Sequence, residues 1–117
     1  MQTETKTSVD QISDGNGGRI TVLRFSGDIS SSSHDALLGI YQTVSKSQPV
    51  LLDFTKVDYI NSSGIALVIQ MLIEAANSGQ KVYAFGLSPH FTKVFTMVGI
   101  TKYAGLFPSQ ADALAAL

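Results

Sequence analysis

Residues 59 to 72 read YINSSGIALVIQML, a polar knot set between two apolar stretches. After Asn61 the positions Ile65, Val68, Ile69, Leu72, Ile73 and Ala76 recur at intervals of three and four, which predicts a helix. Asn77-Ser78-Gly79 stops it. Upstream, Val50, Leu51, Leu52 and Phe54 form a near-continuous apolar run, the pattern of a strand covered on both faces. Strand, polar turn, helix is therefore the local unit, and the rest of the chain repeats it.

In front of this unit, two segments near 8–13 and 19–26 flank DGNGG at 14 to 18, and the turn residues predict a hairpin. Residues 1 to 7 are polar and are expected to fray. Ser26-Gly27-Asp28 is expected to end the second strand. A helix capped by Ser32 or Ser33 follows, running to about Lys46 on a stripe of Leu37, Leu38, Ile40, Tyr41 and Val44. Beyond the central unit, Lys81 to Phe85 reads as a strand. Ser88 and Pro89 then open a helix that holds Phe91, Val94, Phe95 and Val98 and ends at Gly99. Tyr103 to Phe107 reads as a short strand, and Pro108 opens a last helix, Ser109 to Leu117. The order β-β-α-β-α-β-α-β-α predicts one α/β domain over 1–117. Its mixed, mostly parallel sheet has about five strands, with about four helices.

The composition supports a folded chain: 44% of the 117 residues are hydrophobic and 15% charged. The apolar stretch Ile65 to Ile73 is broken by Gln70 and too short to cross a bilayer, so no membrane insertion is expected. No signal peptide is recognised at the N-terminus, and cysteine is absent. These features favour the cytoplasm. The net charge is −1, and the eight Lys and Arg are scattered without a basic stripe, so nucleic acid is not an expected partner.

Enzyme signatures are missing. There is neither a G-x-S-x-G elbow nor a glycine-rich phosphate loop. His34 and His90 have no second ligand at metal spacing and read as surface residues. Asp53 and Asp58 read as solvated or turn-stabilising carboxylates rather than an acid/base pair. No pocket with convergent polar groups is legible, and no catalytic residue, metal or cofactor is expected. Two polar loops remain. GDISSSSHD, 27 to 35, lies at a strand's carboxyl end, where ligands and partners meet open α/β sheets.

The second loop is NSSG, 61 to 64. Asn61 or Ser62 can cap the helix, worth ~1 kcal/mol. Capping does not need two serines and a glycine, and Gly64 in the first turn costs ~1 kcal/mol relative to Ala. A side-chain-free surface there suits close approach by another molecule. A hydroxyl there can also carry a phosphate, whose charge faces the positive end of the helix dipole. The residues alone leave both readings open.

DFTKVDYINSSGIALVIQML resembles the central motif of the STAS domain (sulphate transporter and anti-sigma factor antagonist). FSGDIS, 25 to 30, resembles that family's strand-end motif, and GLSPHFTKVFTMVGITKYAGLFPSQADAL, 86 to 114, its C-terminal portion. The resemblance spans about 8 to 117 and implies a soluble, non-enzymatic antagonist of the anti-sigma factor type. Such a protein binds a serine-protein kinase that is also an anti-sigma factor, and phosphorylation releases it. A PP2C-type phosphatase is a further implied partner. The family's acceptor serine corresponds to Ser62, with Ser63 its less favoured neighbour. Asp28, Ser30, Ser31, Asn61, Ser62, Ser63 and Gly64 are the implied partner-binding positions, with Asp28 near Ser62. One departure stands out: the family's D-S-S-G has Asn61 in place of its acid. An Asn still caps a helix but lacks the charge. A STAS scaffold subunit in a larger signalling or transport complex is the alternative role.

Overall fold

Val50–Ile60 forms β3, the middle strand of a five-stranded sheet whose strands lie side by side in chain order. The computed structural model describes residues 4–117. Around β3 are β1 (Lys6–Ser13), β2 (Arg19–Ile29), β4 (Val82–Phe85) and β5 (Gly105–Phe107). The β1–β2 pair is antiparallel and the other three pairs are parallel. Three helices make the parallel crossovers: α1 (His34–Gln42), α2 (Ser62–Asn77) and α3 (Pro89–Met97). A short fourth helix, α4 (Gln110–Ala115), follows β5. This is the predicted element order.

Strands in chain order, joined by crossovers of one hand, put their helices on one side. One core accordingly holds Leu37 and Tyr41 of α1, Val68 and Leu72 of α2, and Phe95 of α3 against Phe54 of the sheet. The opposite face carries a smaller cluster, in which Ala113 of α4 covers Ile20, Val22, Leu51 and Phe85. Six residues of helix cannot cover a whole sheet, so the rest of that face stays open.

Several boundaries differ from those predicted. The first strand begins at Lys6, inside the stretch expected to fray, because it pairs with β2 from that residue on; residues 1–3 lie outside the described residues. The second strand does not stop at Ser26. It runs through Gly27 and Asp28 to Ile29, and β3 runs beside it past Phe54 to Ile60. Two register shifts, between Arg24 and Ser26 and between Gly27 and Asp28, let the strands bend and continue together. Gly27 sits at φ +81, which a side-chain-bearing residue rarely adopts.

The first helix ends at Gln42 rather than Lys46. Thr43 turns its hydroxyl back to the Ile40 carbonyl at 2.7 Å, and Lys46 Nζ donates to the Tyr41 carbonyl at 2.7 Å. Side-chain bonds of this kind satisfy backbone groups where the helix stops. The last strand begins at Gly105, since Ile100–Lys102 form a 3-10 turn. The last helix starts at Gln110 with Ser109 as its cap, its hydroxyl accepting from the Asp112 amide.

Tyr41 locks the crossover from α1 to β3. The side chain is fully buried, and its hydroxyl donates to Gln80 Oε1 at 2.6 Å. Gln80 in turn donates to the carbonyls of Ser45 and Gln48. Burial, with a smaller contribution from Glu74, pushes the Tyr41 pKa up to about 12. Its folded pKa thus exceeds the unfolded value of about 10, so this stability is intact below about pH 10 and is lost between about 10 and 12. The loss amounts to roughly 2–3 kcal/mol, at about 1.4 per unit. Tyr41→Phe should cost about 1–3 kcal/mol at neutral pH by orphaning Gln80 and should remove that alkaline decline. Urea titrations on either side of about pH 10 check both effects. A decline as steep as in the parent protein would assign it to another group.

Candidate functional site

The two polar loops meet at the C-terminal ends of β2 and β3. Ile29 is opposite Ile60 in register, and the Ile29 carbonyl accepts from the Asn61 amide at 3.1 Å. Asn61 then caps α2: its Oδ1 accepts from the Gly64 amide at 2.8 Å. The choice between Asn61 and Ser62 as cap is settled by this bond. Ser62 and Ser63 occupy the first two helical positions with exposed side chains. Their hydroxyls make no hydrogen bond among the described residues. The first amides of a helix have no intrahelical acceptor, so those of Ser62 and Ser63 are available to an anion carried on the neighbouring hydroxyl.

Gly64 has a different role from the one expected. It is buried, and a Cβ placed there would lie within 3 Å of the Ile29 carbonyl carbon and oxygen. Its bare backbone admits β2 and not another molecule. Asp28 pairs with Tyr59 in register, three residues before Ser62. Ser30 is buried: its amide donates to Ser33 Oγ at 2.9 Å, and its hydroxyl meets that of Ser32 at 2.9 Å. Thr5 joins this knot through the Asp28 carbonyl and the Ser33 hydroxyl. Ser31 and Ser32 are the exposed serines of the run. Ser33 precedes α1 but makes no side-chain cap bond.

Sequence reasoning missed Tyr59. It is 54% exposed, beside the start of α2, with its ring 6.0 Å from that of Phe91. A strand drawn only to Phe54 leaves Tyr59 without a place. The α2 stripe also divides. Val68 and Leu72 are buried, Ile65 and Ile69 are half-buried, and Ile73 and Ala76 are exposed. Ile65, Ile69 and Ile73, four apart, form an apolar rim leading away from Ser62.

His34 is exposed and within 3.2 Å of Asp35, while the His90 ring lies against Phe91. No cluster of metal-ligating side chains occurs among the described residues. Asp58 is exposed, but Asp53 is buried. Its carboxylate accepts from Arg24 Nη1 at 2.7 Å and from the Thr55 amide at 2.8 Å. Arg24 also donates from Nε to Asp10 at 2.6 Å, and the bonds to Asp10 and then Asp53 raise its pKa.

The carboxyl edge of the sheet thus presents a helix start capped by Asn61, with two exposed serine hydroxyls beside the cap. The family model for the "Mlab, STAS domain" matches residues 13–108, and the chain belongs to the STAS family. No curated protein matches the sequence. Among solved structures, an anti-sigma factor antagonist from Mycobacterium paratuberculosis is similar at 20% identity and a TM-score of 0.78, over 97% of this chain and 93% of that one. The phosphorylated Bacillus cell fate determinant SpoIIAA is similar at 17% identity and a TM-score of 0.66, over 94% and 97% of the two chains. A sulfate transporter family protein from Wolinella succinogenes is similar at 18% identity and a TM-score of 0.71, over 83% of each. At these identities the likeness is one of fold. No helix among the described residues is long and apolar enough to cross a membrane.

Proposed function

We propose that this chain is a cytoplasmic, non-enzymatic anti-sigma factor antagonist that holds a serine-protein kinase when unmodified and releases it when Ser62 is phosphorylated. The carrying observation is the division of labour at the start of α2: Asn61 makes the cap bond, and Ser62 beside it has an exposed hydroxyl. The partner covers the first turn of α2, Tyr59 and the Ile65–Ile69–Ile73 rim, with Asp28 and the exposed Ser31 at the margin. A phosphate on Ser62 brings about two negative charges to the top of that rim. The fold tolerates them, since they face the helix amides. The docked partner must desolvate them, and binding fails. A PP2C-type phosphatase would reset the switch.

The test is phosphate transfer. With its kinase and ATP the protein should take up one phosphate, located on Ser62 by mass spectrometry, and Ser62→Ala should take up none. Label that survives in Ser62→Ala and disappears in Ser63→Ala would move the site by one residue.

A second reading is a STAS scaffold subunit of a larger complex. The matching "Mlab, STAS domain" model and Asn61 in the family's acidic position favour it. There Ser62 is only a surface residue. No transfer, together with undiminished partner binding by Ser62→Asp, would select this reading.

A further inference from the structure

The sequence shows no pocket with convergent polar groups, but the structure has one, on the open face of the sheet and apart from Ser62. Lys6 stands opposite Ser26 on β1 and β2, and Ser26 stands opposite Lys56 on β2 and β3. The register shift after Arg24 puts Lys56, rather than Thr55, in this row. The two lysines therefore flank one hydroxyl across two strand spacings, about 10 Å. That is a gap two lysine side chains can close around a small ion. The next row holds Arg24 and Asp53, and Arg24 is fixed by its bonds to Asp10 and Asp53. Lys6 and Lys56 form no ion pair among the described residues.

Two cavities meet along this row. One of about 190 Å³ is lined by Lys6, Ser26, Arg24 and Lys56. The other, of about 670 Å³, shares Arg24, Asp53 and Lys56 and extends to Phe85, Leu87 and Pro108. It lies where the connections diverge. The chain leaves β4 for α3 on the packed face and leaves the adjacent β5 for α4 on the other. The second cavity thus reaches the carboxyl ends of β4 and β5.

We infer that this crevice binds a phosphate monoester on an apolar body. The phosphate sits between Lys6, Ser26 and Lys56, and the body lies along Leu87 and Pro108. A monoester fits better than a carboxylate, because three free oxygens can meet two ammonium groups and a hydroxyl together.

Phenyl phosphate is the probe, followed in amide proton–nitrogen spectra of the full chain. Saturable shifts at Ser26, Lys56 and Gly86 are expected, weaker with inorganic phosphate and absent with benzyl alcohol. Lys6→Gln with Lys56→Gln should weaken binding about tenfold or more, with the thermal midpoint unchanged. Vesicles of phosphatidylcholine with phosphatidic acid separate the two sources of the same head group. Co-sedimentation lost in the double variant assigns the monoester to a lipid, and no co-sedimentation assigns it to a soluble molecule. Shifts that never saturate, or a double variant that binds as the parent does, overturn the inference. Ser62→Ala should bind phenyl phosphate like the parent, so failure of this site and failure of the switch are told apart.

Discussion

Replacing Ser62 with Asp is expected to weaken partner binding about a hundredfold, roughly 2.8 kcal/mol, and to leave the thermal midpoint unchanged or slightly raised. The two effects have opposite signs for the same charge. Within the fold, a carboxylate at the first position of α2 faces the positive end of the helix dipole, worth about 0.3–1 kcal/mol in stability. The cap bond from Asn61 to the Gly64 amide is untouched by the change. Across the interface, the charge arrives next to Tyr59 and Ile65, where a docked protein must strip its water. An uncompensated charge in such a contact costs about 2–5 kcal/mol. Titration calorimetry with the purified kinase and a thermal melt of the same sample measure both quantities. Loss of binding together with a lowered midpoint would mean that Ser62 supports the fold. Binding that survives intact would remove the switch.

Much of this site is legible in the sequence. Periodicity located α2, and the Ser88-Pro89 pair located the start of α3 to the residue, although that helix ends at Met97 and leaves Val98, expected on its buried stripe, exposed. What sequence could not choose was the phase of the cap. Asn61 and Ser62 are both good capping residues, and the choice turns on where the Ile29 carbonyl anchors the Asn61 amide, a contact between residues 32 apart in the chain. Burial of Ser30 and Gly64 was hidden for the same reason. Both look like loop residues until β2 is extended through Gly27, which reads as a strand end because glycine weakens a strand interior. The row of Lys6, Ser26 and Lys56 was less visible still. It requires the bulge after Arg24, which shifts one strand by a residue and changes which side chains share a row. It also requires that α4 leave part of its face bare, a matter of helix length and crossover side that no local pattern encodes.

Gly64 and Gly39 both lie in helices, and exchanging each for Ala is expected to give opposite results. In α1, nothing lies within 4 Å of a Cβ at Gly39, and its φ is not positive. Gly39→Ala should therefore stabilise by about 0.5–1 kcal/mol, from helix propensity and reduced freedom of the unfolded chain. In α2, the new methyl group of Gly64→Ala would come within 3 Å of the Ile29 carbonyl. That neighbour is backbone, and its oxygen already holds the Asn61 amide, so it cannot move without loosening the joint between β2 and α2. Overpacking of this kind costs about 1–3 kcal/mol, occasionally more, and the strained Asn61 bond adds about 1. Against this stands a propensity gain of about 1 kcal/mol, leaving a net loss of about 2. For a domain of this size that is a drop of roughly 10 °C in the midpoint of unfolding, against a small rise for Gly39→Ala. The loss should extend to function: a displaced first turn moves Ser62, so phosphate transfer to Gly64→Ala should slow even at temperatures where it is fully folded. A midpoint for Gly64→Ala equal to or above that of the parent would show that β2 and α2 do not meet at this glycine, and the geometry that presents Ser62 would have to be redrawn.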